Sequence, residues 1–310
     1  MKVFILYAKE NWITDVLAKE WIENNKQLYT NNVHEADIIW ILSNYVINQI
    51  PLQLYKIKKV VTTIHHITPW KITQTQKQHF SLLNEITDVF HSICDITTNE
   101  LKKYCTKPIV TFPFWNNENL WFNIPDKNNL INKYNLDLDS FIVGSFQRDT
   151  EGSGIESGIY LPKKEKGPDI FIKAVVLLKN KHPNLKVLLT GTRRQYIMEE
   201  LNKNNIEFYY FEMCDFTILN ELYNCLDLYI VGSRVEGGPR AINECSLTQT
   251  PLLSTNVGIS SLLCHPDSVF DMNNVSTILN SKTNTKFNYE KAQLYTIKNY
   301  MENFTKQLFY

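Results

Sequence analysis

LDLYIVGSRVEGGPRAINE, residues 226–244, is the stretch that decides the fold. Its first six residues form a near-continuous apolar run, which suits a strand covered on both faces. A glycine-bearing loop follows from Gly232. Pro239 is expected at the first position of a helix, where its missing N–H would be unpaired anyway. Gly237 and Gly238 let backbone approach a ligand closely and turn amides toward it. The helix N-terminus adds partial positive charge, so phosphate is the natural guest. On this reading Glu236 faces the ligand head from the loop, and Glu244, farther along the helix, reaches a hydroxyl-bearing part. The plain alternative is a generic βα turn with two solvated glutamates.

Working outward, the same strand-then-helix alternation fills the chain. Strands are expected over 2–7, 37–42, 60–64, 93–97, 108–111, 141–144, 186–190, 207–211, 226–231 and 251–254. Helices are expected over 11–23, 73–89, 99–104, 168–179, 193–204, 215–222 and 239–247. Such alternation implies parallel sheets with helices on both faces. The length of 310 residues suits two such domains, each with its own core. Segment 116–140 is rich in Asn, Asp and Lys, with little periodicity, and is expected to be loop and linker. The domains are therefore drawn at 1–138, 139–288 and a terminal helix at 289–310. In that last stretch Leu294, Ile297, Met301, Phe304 and Leu308 recur at helical spacing.

The totals exclude several functions. There are 32 basic and 32 acidic side chains, and residues 1–140 alone hold 14 of each, so neither half is a basic nucleic-acid module. No apolar run approaches the ~20 residues that span a bilayer. Residues 1–7 are too short for a signal h-region with a cleavage site, and the six cysteines form no C-x-x-C pair. The expected compartment is the cytoplasm. The basic residues are 27 Lys and only five Arg: Arg148, Arg193, Arg194, Arg234 and Arg240. A planar, permanently charged fork is one reason for a Lys-biased chain to keep arginine in one region; chance clustering is the other.

Two more segments bear chemistry. In 141–148, FIVGSFQR, a strand enters a loop carrying Ser145 and Arg148; the loop runs to Lys163-Lys164-Glu165-Lys166-Gly167-Pro168. Arg148 and Lys166 are both placed to reach the carboxyl end of the sheet, where open α/β sheets bind ligands. Lys163 and Lys164 read as a solvated patch. In 60–66, VVTTIHH, His65 and His66 stand just beyond a buried strand; metal binding would need further ligands, none of which can be placed. Asp137-Leu138-Asp139 has metal-nucleotide spacing but falls in the expected linker.

These segments together resemble the GT-B fold glycosyltransferases of family 4, a retaining, nucleotide-sugar-dependent group. The resemblance covers nearly the whole chain. It rests on Glu236 and Glu244 at their spacing, on Lys166-Gly167-Pro168-Asp169 before a helix, on 251–258 (PLLSTNVG), and on His65 after its strand, His66 being the second choice. It implies two Rossmann-like domains facing a cleft, with the terminal helix returning to the first. It implies that Arg148 and Lys166 bind the donor diphosphate and stabilise it as it leaves, and that Glu236 contacts the donor sugar beside Gly237 and Gly238. Glu244 would hold the ribose, with Arg240 and Ser145 nearby, and the base would lie by Gly191 and the Glu212–Cys214 loop with Met213. His65 would serve the transferring sugar from the other domain. The implied donor is a UDP- or GDP-sugar, used without metal or other cofactor. The acceptor is a hydroxyl on a glycan, a lipid-linked carrier or another molecule, with peripheral membrane contact compatible and no generic nucleic-acid partner.

Departures from the family are also visible. The loop after the first strand, 8–12, has no glycine, and Ser145 stands where an arginine often follows glycine, so the anion role is given to Arg148. Two other classes stay open: a sugar-nucleotide epimerase-like enzyme, and an inactive donor-binding subunit. A dehydrogenase is disfavoured because no G-x-G-x-x-G follows the first strand.

Overall fold

The computed structural model describes residues 1–10 and 12–310. The chain divides into two compact units, Met1–Trp115 with Lys298–Tyr310, and Asn116–Ile297. The sequence reading had drawn them at 138/139 and 288/289.

The first unit is built on five parallel strands: β1 (Val3–Leu6), β2 (Ile38–Ile41), β3 (Lys59–Ile64), β4 (Val89–Ser92) and β5 (Ile109–Thr111), side by side in that order. Tyr29 adds a single parallel bridge on the other flank of β1, where Val3 N–H donates to the Leu28 carbonyl at 2.7 Å. The chain thus leaves β1 by the helix Ile13–Asn24, touches one flank, and crosses back to β2 on the other. With right-handed crossovers, that reversal covers both faces of the sheet. Asn11, the expected first residue of this helix, lies outside the described residues.

Alternation along the strands sorts the two faces. Ile39, Ile41, Val60 and Phe90 pack with Leu54, Phe80, Leu83 and Ile86 in one cluster. Trp40 points to the other face, where it meets Trp21 (centroids 5.8 Å apart), Phe304 and Phe309. The helix Ile297–Phe309 buries Tyr300, Met301, Phe304 and Leu308 there. Leu294 precedes this helix and is 59% exposed, so it is not part of the stripe. The expected strand at 93–97 is instead the start of a helix, Asp95–Leu101, and the strand is Val89–Ser92. The run VFHSICDIT has no clear period, and such runs do not separate strand from helix.

A buried polar chain crosses this sheet. Trp40 Nε1–H donates to Thr63 Oγ1 at 2.8 Å, Thr63 donates to His91 Nδ1 at 3.1 Å, and His91 Nε2–H donates to the Phe112 carbonyl at 2.9 Å. The Phe112 carbonyl requires the proton on Nε2, and with the ring neutral Nδ1 accepts from Thr63. Burial lowers its pKa to about 3, and burial likewise lowers that of His65 to about 4. A histidine depressed in the folded state stabilises fully above its unfolded pKa and loses that contribution as pH falls toward the folded value. Each should therefore cost about 1.4 kcal/mol per pH unit from about pH 6.5 downward. Denaturant melts between pH 7 and 4.5 measure this, and a His91→Gln variant should lose about half of the slope. A wild-type midpoint flat across that range would contradict it.

The second unit carries six parallel strands: β6 (Phe141–Ser145), β7 (Leu185–Thr190), β8 (Phe208–Phe211), β9 (Leu228–Val231), β10 (Leu252–Thr255) and β11 (Val269–Phe270). Their order, β11-β10-β9-β6-β7-β8, reverses between β6 and β9. That is the dinucleotide-fold order, and the reversal opens a crevice at the carboxyl ends of those two strands. One layer of core joins Ile170, Phe171 and Val175 to Val143, Val187 and Ile230.

The expected linker 116–140 is an ordered part of this unit. It contains a helix, Lys127–Lys133, with Leu130 and Ile131 buried. Asn220 and Asn224 accept from the Phe122 and Ile124 amides at 3.0 and 2.7 Å, and Lys127 pairs with Asp227 at 2.5 Å. The asparagine-rich composition reads as loop because its amides satisfy backbone locally; here the satisfying amides come from a distant helix.

Candidate functional site

Three loops meet beyond β6, β9 and β10, and two glycines let them touch. Gly167 has φ +58, and a Cβ there would lie 1.9 Å from the Gly232 carbonyl oxygen. Gly258 has φ +55, and its Cβ would lie 2.3 Å from the Gly237 carbonyl oxygen. Only glycine accommodates both the left-handed backbone and the approach. The stretch 251–258 is therefore docked against the Glu236 loop, and Lys166-Gly167 against Gly232. Pro239 sits one place earlier than expected: it caps the helix Arg240–Thr248, which starts after it.

Side chains stitch these loops together. Gln147 Nε2 donates to the Lys166 carbonyl at 3.0 Å, and Gln147 Oε1 lies 3.3 Å from Ser233 Oγ. Thr255 Oγ1 donates to the Ser233 carbonyl. Ser233 Oγ donates to Glu236 Oε1, while Lys166 Nζ donates to Glu236 Oε2 at 2.5 Å. Lys166 and Glu236 thus form one ion pair, set in a mesh of fixed loops. Arg234 is committed elsewhere: its fork grips Asp169 at 2.7 and 2.6 Å and also donates to the Lys164 carbonyl. It clamps the loop to the helix Pro168–Lys179.

Glu244 stands on the helix Arg240–Thr248. Its Oε2 accepts from the Tyr223 hydroxyl at 2.7 Å, and its Oε1 lies 4.0 Å from Arg240 Nε. Burial raises its pKa, opposed by Arg240 and by the tyrosine bond. Gly237 is buried and Gly238 half-buried in the loop just before.

Beyond β6, β7 and β8 lies a cavity of about 290 Å³, lined by Phe146, Arg148, Gly191, Glu212, Met213 and Leu219 among others. Gly191 has φ +84, and a Cβ there would meet nothing within 4 Å. Met213 is 79% exposed at the rim. Burial and then the neighbouring Arg193 push the Arg148 pKa down. The guanidinium nonetheless stays charged, so two like charges are held within range of each other, a cost that an anion would recover. Arg193 itself is left-handed, φ +59, with its carbonyl accepting from the Asp149 and Thr150 amides.

Arg194, one of the five clustered arginines, is turned into the protein. It is wholly buried at 0% exposure, with Nε on the Asp149 carboxylate and Nη1 on the Ser145 and Thr190 carbonyls. The Ser145 hydroxyl accepts from Nη2 at 3.1 Å, so this group is engaged inside the protein. Asp137 of the Asp-x-Asp match is likewise engaged, accepting from Ser140 and pairing with Lys186 at 3.2 Å. In the first unit, His65 Nε2–H donates to the Leu42 carbonyl at 2.9 Å and its ring stacks on Phe114. His66 is exposed. Among the described residues, no group of three or more His, Cys, Asp or Glu is placed to hold a metal ion.

The second unit therefore gathers Lys166, Glu236, Gly237, Gly238, Arg240 and Glu244 on adjoining loops and one helix, with Arg148, Gly191 and Met213 around the cavity. Tyr223, Tyr229 and Gln147 were not singled out from the sequence. Only Gln147, beside Arg148, carried a signal there.

Residues 162–278 match the family described as Glycosyl transferases group 1. That span contains the Lys166, Gly191, Glu236 and Glu244 loops. No curated protein matches the chain. Among solved structures, the Anabaena protein Alr3699/HepE in complex with UDP superposes with TM-score 0.76 at 15% identity over 99% of both chains. A sucrose-phosphate synthase from Thermosynechococcus elongatus gives 0.70 at 15%, over 97% of this chain and 79% of that one. WaaG, a glycosyltransferase involved in lipopolysaccharide biosynthesis, gives 0.65 at 12% over 100% of both. The two parallel-sheet units have the GT-B fold of these structures.

Proposed function

We propose that this glycosyltransferase takes its sugar from a nucleoside diphosphate-sugar and passes it to an acceptor hydroxyl, with retention and without metal. The observation that carries the reading is the placement of Arg148, Lys166, Glu236 and Glu244 at the carboxyl end of one sheet, around its strand-order reversal. Breaking an anomeric C–O bond builds negative charge on the departing diphosphate. Fixed guanidinium and ammonium groups, with a helix N-terminus, can neutralise that charge without a cation from solution. Arg148 and Lys166 take this part. Glu236, held at both oxygens, contacts the sugar hydroxyls beside Gly237 and Gly238. Glu244, with Arg240 beside it, accepts from the ribose, and the base enters the cavity at Gly191 and Met213. Ser145 acts only by steadying Arg194. His65, neutral and giving Nε2–H to Leu42, offers Nδ1 as an acceptor for a sugar hydroxyl.

Retention follows if the acceptor attacks from the face the diphosphate leaves, with a phosphate oxygen taking the acceptor proton. A uridine donor is the first choice because HepE was crystallised with UDP and with UDP-glucose; a GDP-sugar is the second. The acceptor is a hydroxyl of a glycan, a lipid-linked carrier or another molecule. No helix among the described residues is long and apolar enough to cross a membrane, and we place the work in the cytoplasm, with peripheral membrane contact allowed.

Calorimetry with UDP, GDP and ADP, with and without EDTA, tests this. One diphosphate should bind unchanged in EDTA, and Glu244→Ala should weaken it by about 1–3 kcal/mol, the cost of unmade hydrogen bonds in a recessed site. Strict Mg²⁺ dependence would remove the metal-free part, and no diphosphate binding at all would remove the whole.

A further inference from the structure

Tyr223 lies in the helix Phe216–Asn224, 21 residues before Glu244, and its hydroxyl donates to Glu244 Oε2 at 2.7 Å. The side chain is 2% exposed and its ring is held on three sides. Phe146 lies 4.7 Å away, Tyr229 5.4 Å and Trp121 5.8 Å, centroid to centroid. Phe146 is two residues from Arg148, and its amide donates to the Tyr229 hydroxyl at 2.8 Å. A ring fixed this firmly holds its hydroxyl oxygen beside the carboxylate, whose second oxygen is toward Arg240. The rotor of a glutamate is otherwise loose at its last torsion.

We propose that Tyr223 is the positioning residue for nucleotide recognition: it pins one oxygen of Glu244, leaving the other for the ribose hydroxyls, and its ring braces Phe146 beside Arg148. This rests on the assignment of Glu244 to ribose made above. Positioning of this kind acts on ribose discrimination rather than on affinity at large. A hydroxyl-binding carboxylate that is free to turn satisfies itself on solvent or Arg240 and no longer rejects a ligand without hydroxyls.

The groups facing Glu244 are Arg240 and Cys245 on its own helix, Tyr223 on the neighbouring helix and Tyr229 on β9. Of these, Tyr223 is the one that donates to the carboxylate from another element. Its removal should therefore raise the titration midpoint of Glu244 in the protein without ligand.

The test uses the full chain as wild type, Tyr223→Phe and Glu244→Gln. Affinities for UDP and for 2′,3′-dideoxy-UDP are compared, and the Glu244 carboxyl is titrated by NMR in wild type and Tyr223→Phe. Wild type should prefer UDP by about tenfold or more, the scale of one or two buried hydrogen bonds. In Tyr223→Phe that preference should shrink to about twofold, as in Glu244→Gln, while dideoxy-UDP affinity stays put and the Glu244 midpoint rises by about one unit. A preference kept at the wild-type ratio, equal losses for both ligands, or an unmoved midpoint overturns the proposal. A wild type indifferent to the ribose hydroxyls overturns the ribose assignment instead, and the titration still decides the Tyr223–Glu244 bond. Thermal melting of both variants verifies that they fold.

Discussion

Arg194→Met should destabilise the protein by about 3–5 kcal/mol, the cost of stripping one partner from a buried ion pair. Arg194 is 0% exposed and Asp149 1%, and the arginine also holds the Ser145 and Thr190 carbonyls at the ends of β6 and β7. Methionine keeps most of the volume, so the loss is electrostatic. It leaves a carboxylate in the interior with Thr150 Oγ1 and the Ile197 amide as its remaining donors. Burial already raises the Asp149 pKa with Arg194 in place. Without the guanidinium it must rise further, because desolvation is then opposed by less. A carboxyl raised in the folded state contributes most below its unfolded pKa, and that contribution is lost as pH climbs through the folded value. The deficit of Arg194→Met should therefore be small near pH 4 and grow toward pH 8. Adding Asp149→Asn should recover part of it, since removing both charges avoids the orphan. Denaturant midpoints at the two pH values decide the matter; a deficit under about 1 kcal/mol at pH 8 would mean that the pair is worth no more than an exposed one.

Arg194 also marks the limit of what the sequence discloses. The loops at 164–169, 232–239 and 251–258 were legible because their chemistry is local: glycine, proline and charged residues at short spacing after apolar strands. The close approaches of Gly167 to Gly232 and of Gly258 to Gly237 explain why those glycines stand where they do. Nothing local distinguishes Arg193, which turns outward on a left-handed backbone, from Arg194, which turns in. The difference is made by Asp149, 45 residues away, and by the carbonyls of two strands. Tyr223 and Asn220 were hidden for the same reason, since their partners lie on segments that only the fold brings near. The strand Val89–Ser92 was missed because, beside Phe90, it buries a histidine, His91, which is satisfied by Thr63 of β3 and by the Phe112 carbonyl just beyond β5. The arginine cluster itself was a fair pointer only in part. Arg194 and Arg234 hold the scaffold, Arg240 accompanies Glu244, and Arg148 stands at the cavity.

Lys166→Met should lower the transfer rate by about 10²–10³-fold, the usual cost of deleting one preorganised group that meets developing charge. The same change should alter stability by less than about 1 kcal/mol, because the Lys166–Glu236 pair is partly open, with 25% and 12% of the two side chains exposed. The contrast matters, since a lysine that only held Glu236 would show the opposite pattern. Glu236 keeps Ser233 as a donor when the lysine is gone, so the sugar-side contact survives in part. Lys166→Arg keeps a cation in this loop and leaves Glu236 in place, so it should regain part of the rate that Lys166→Met loses. Steady-state turnover of the donor found by the nucleotide panel, measured beside denaturant melts of wild type and both variants, separates a loss of rate from a loss of stability. A Lys166→Met rate within about fivefold of wild type would take Lys166 out of the chemistry and leave Arg148 and the helix N-terminus to carry the leaving charge.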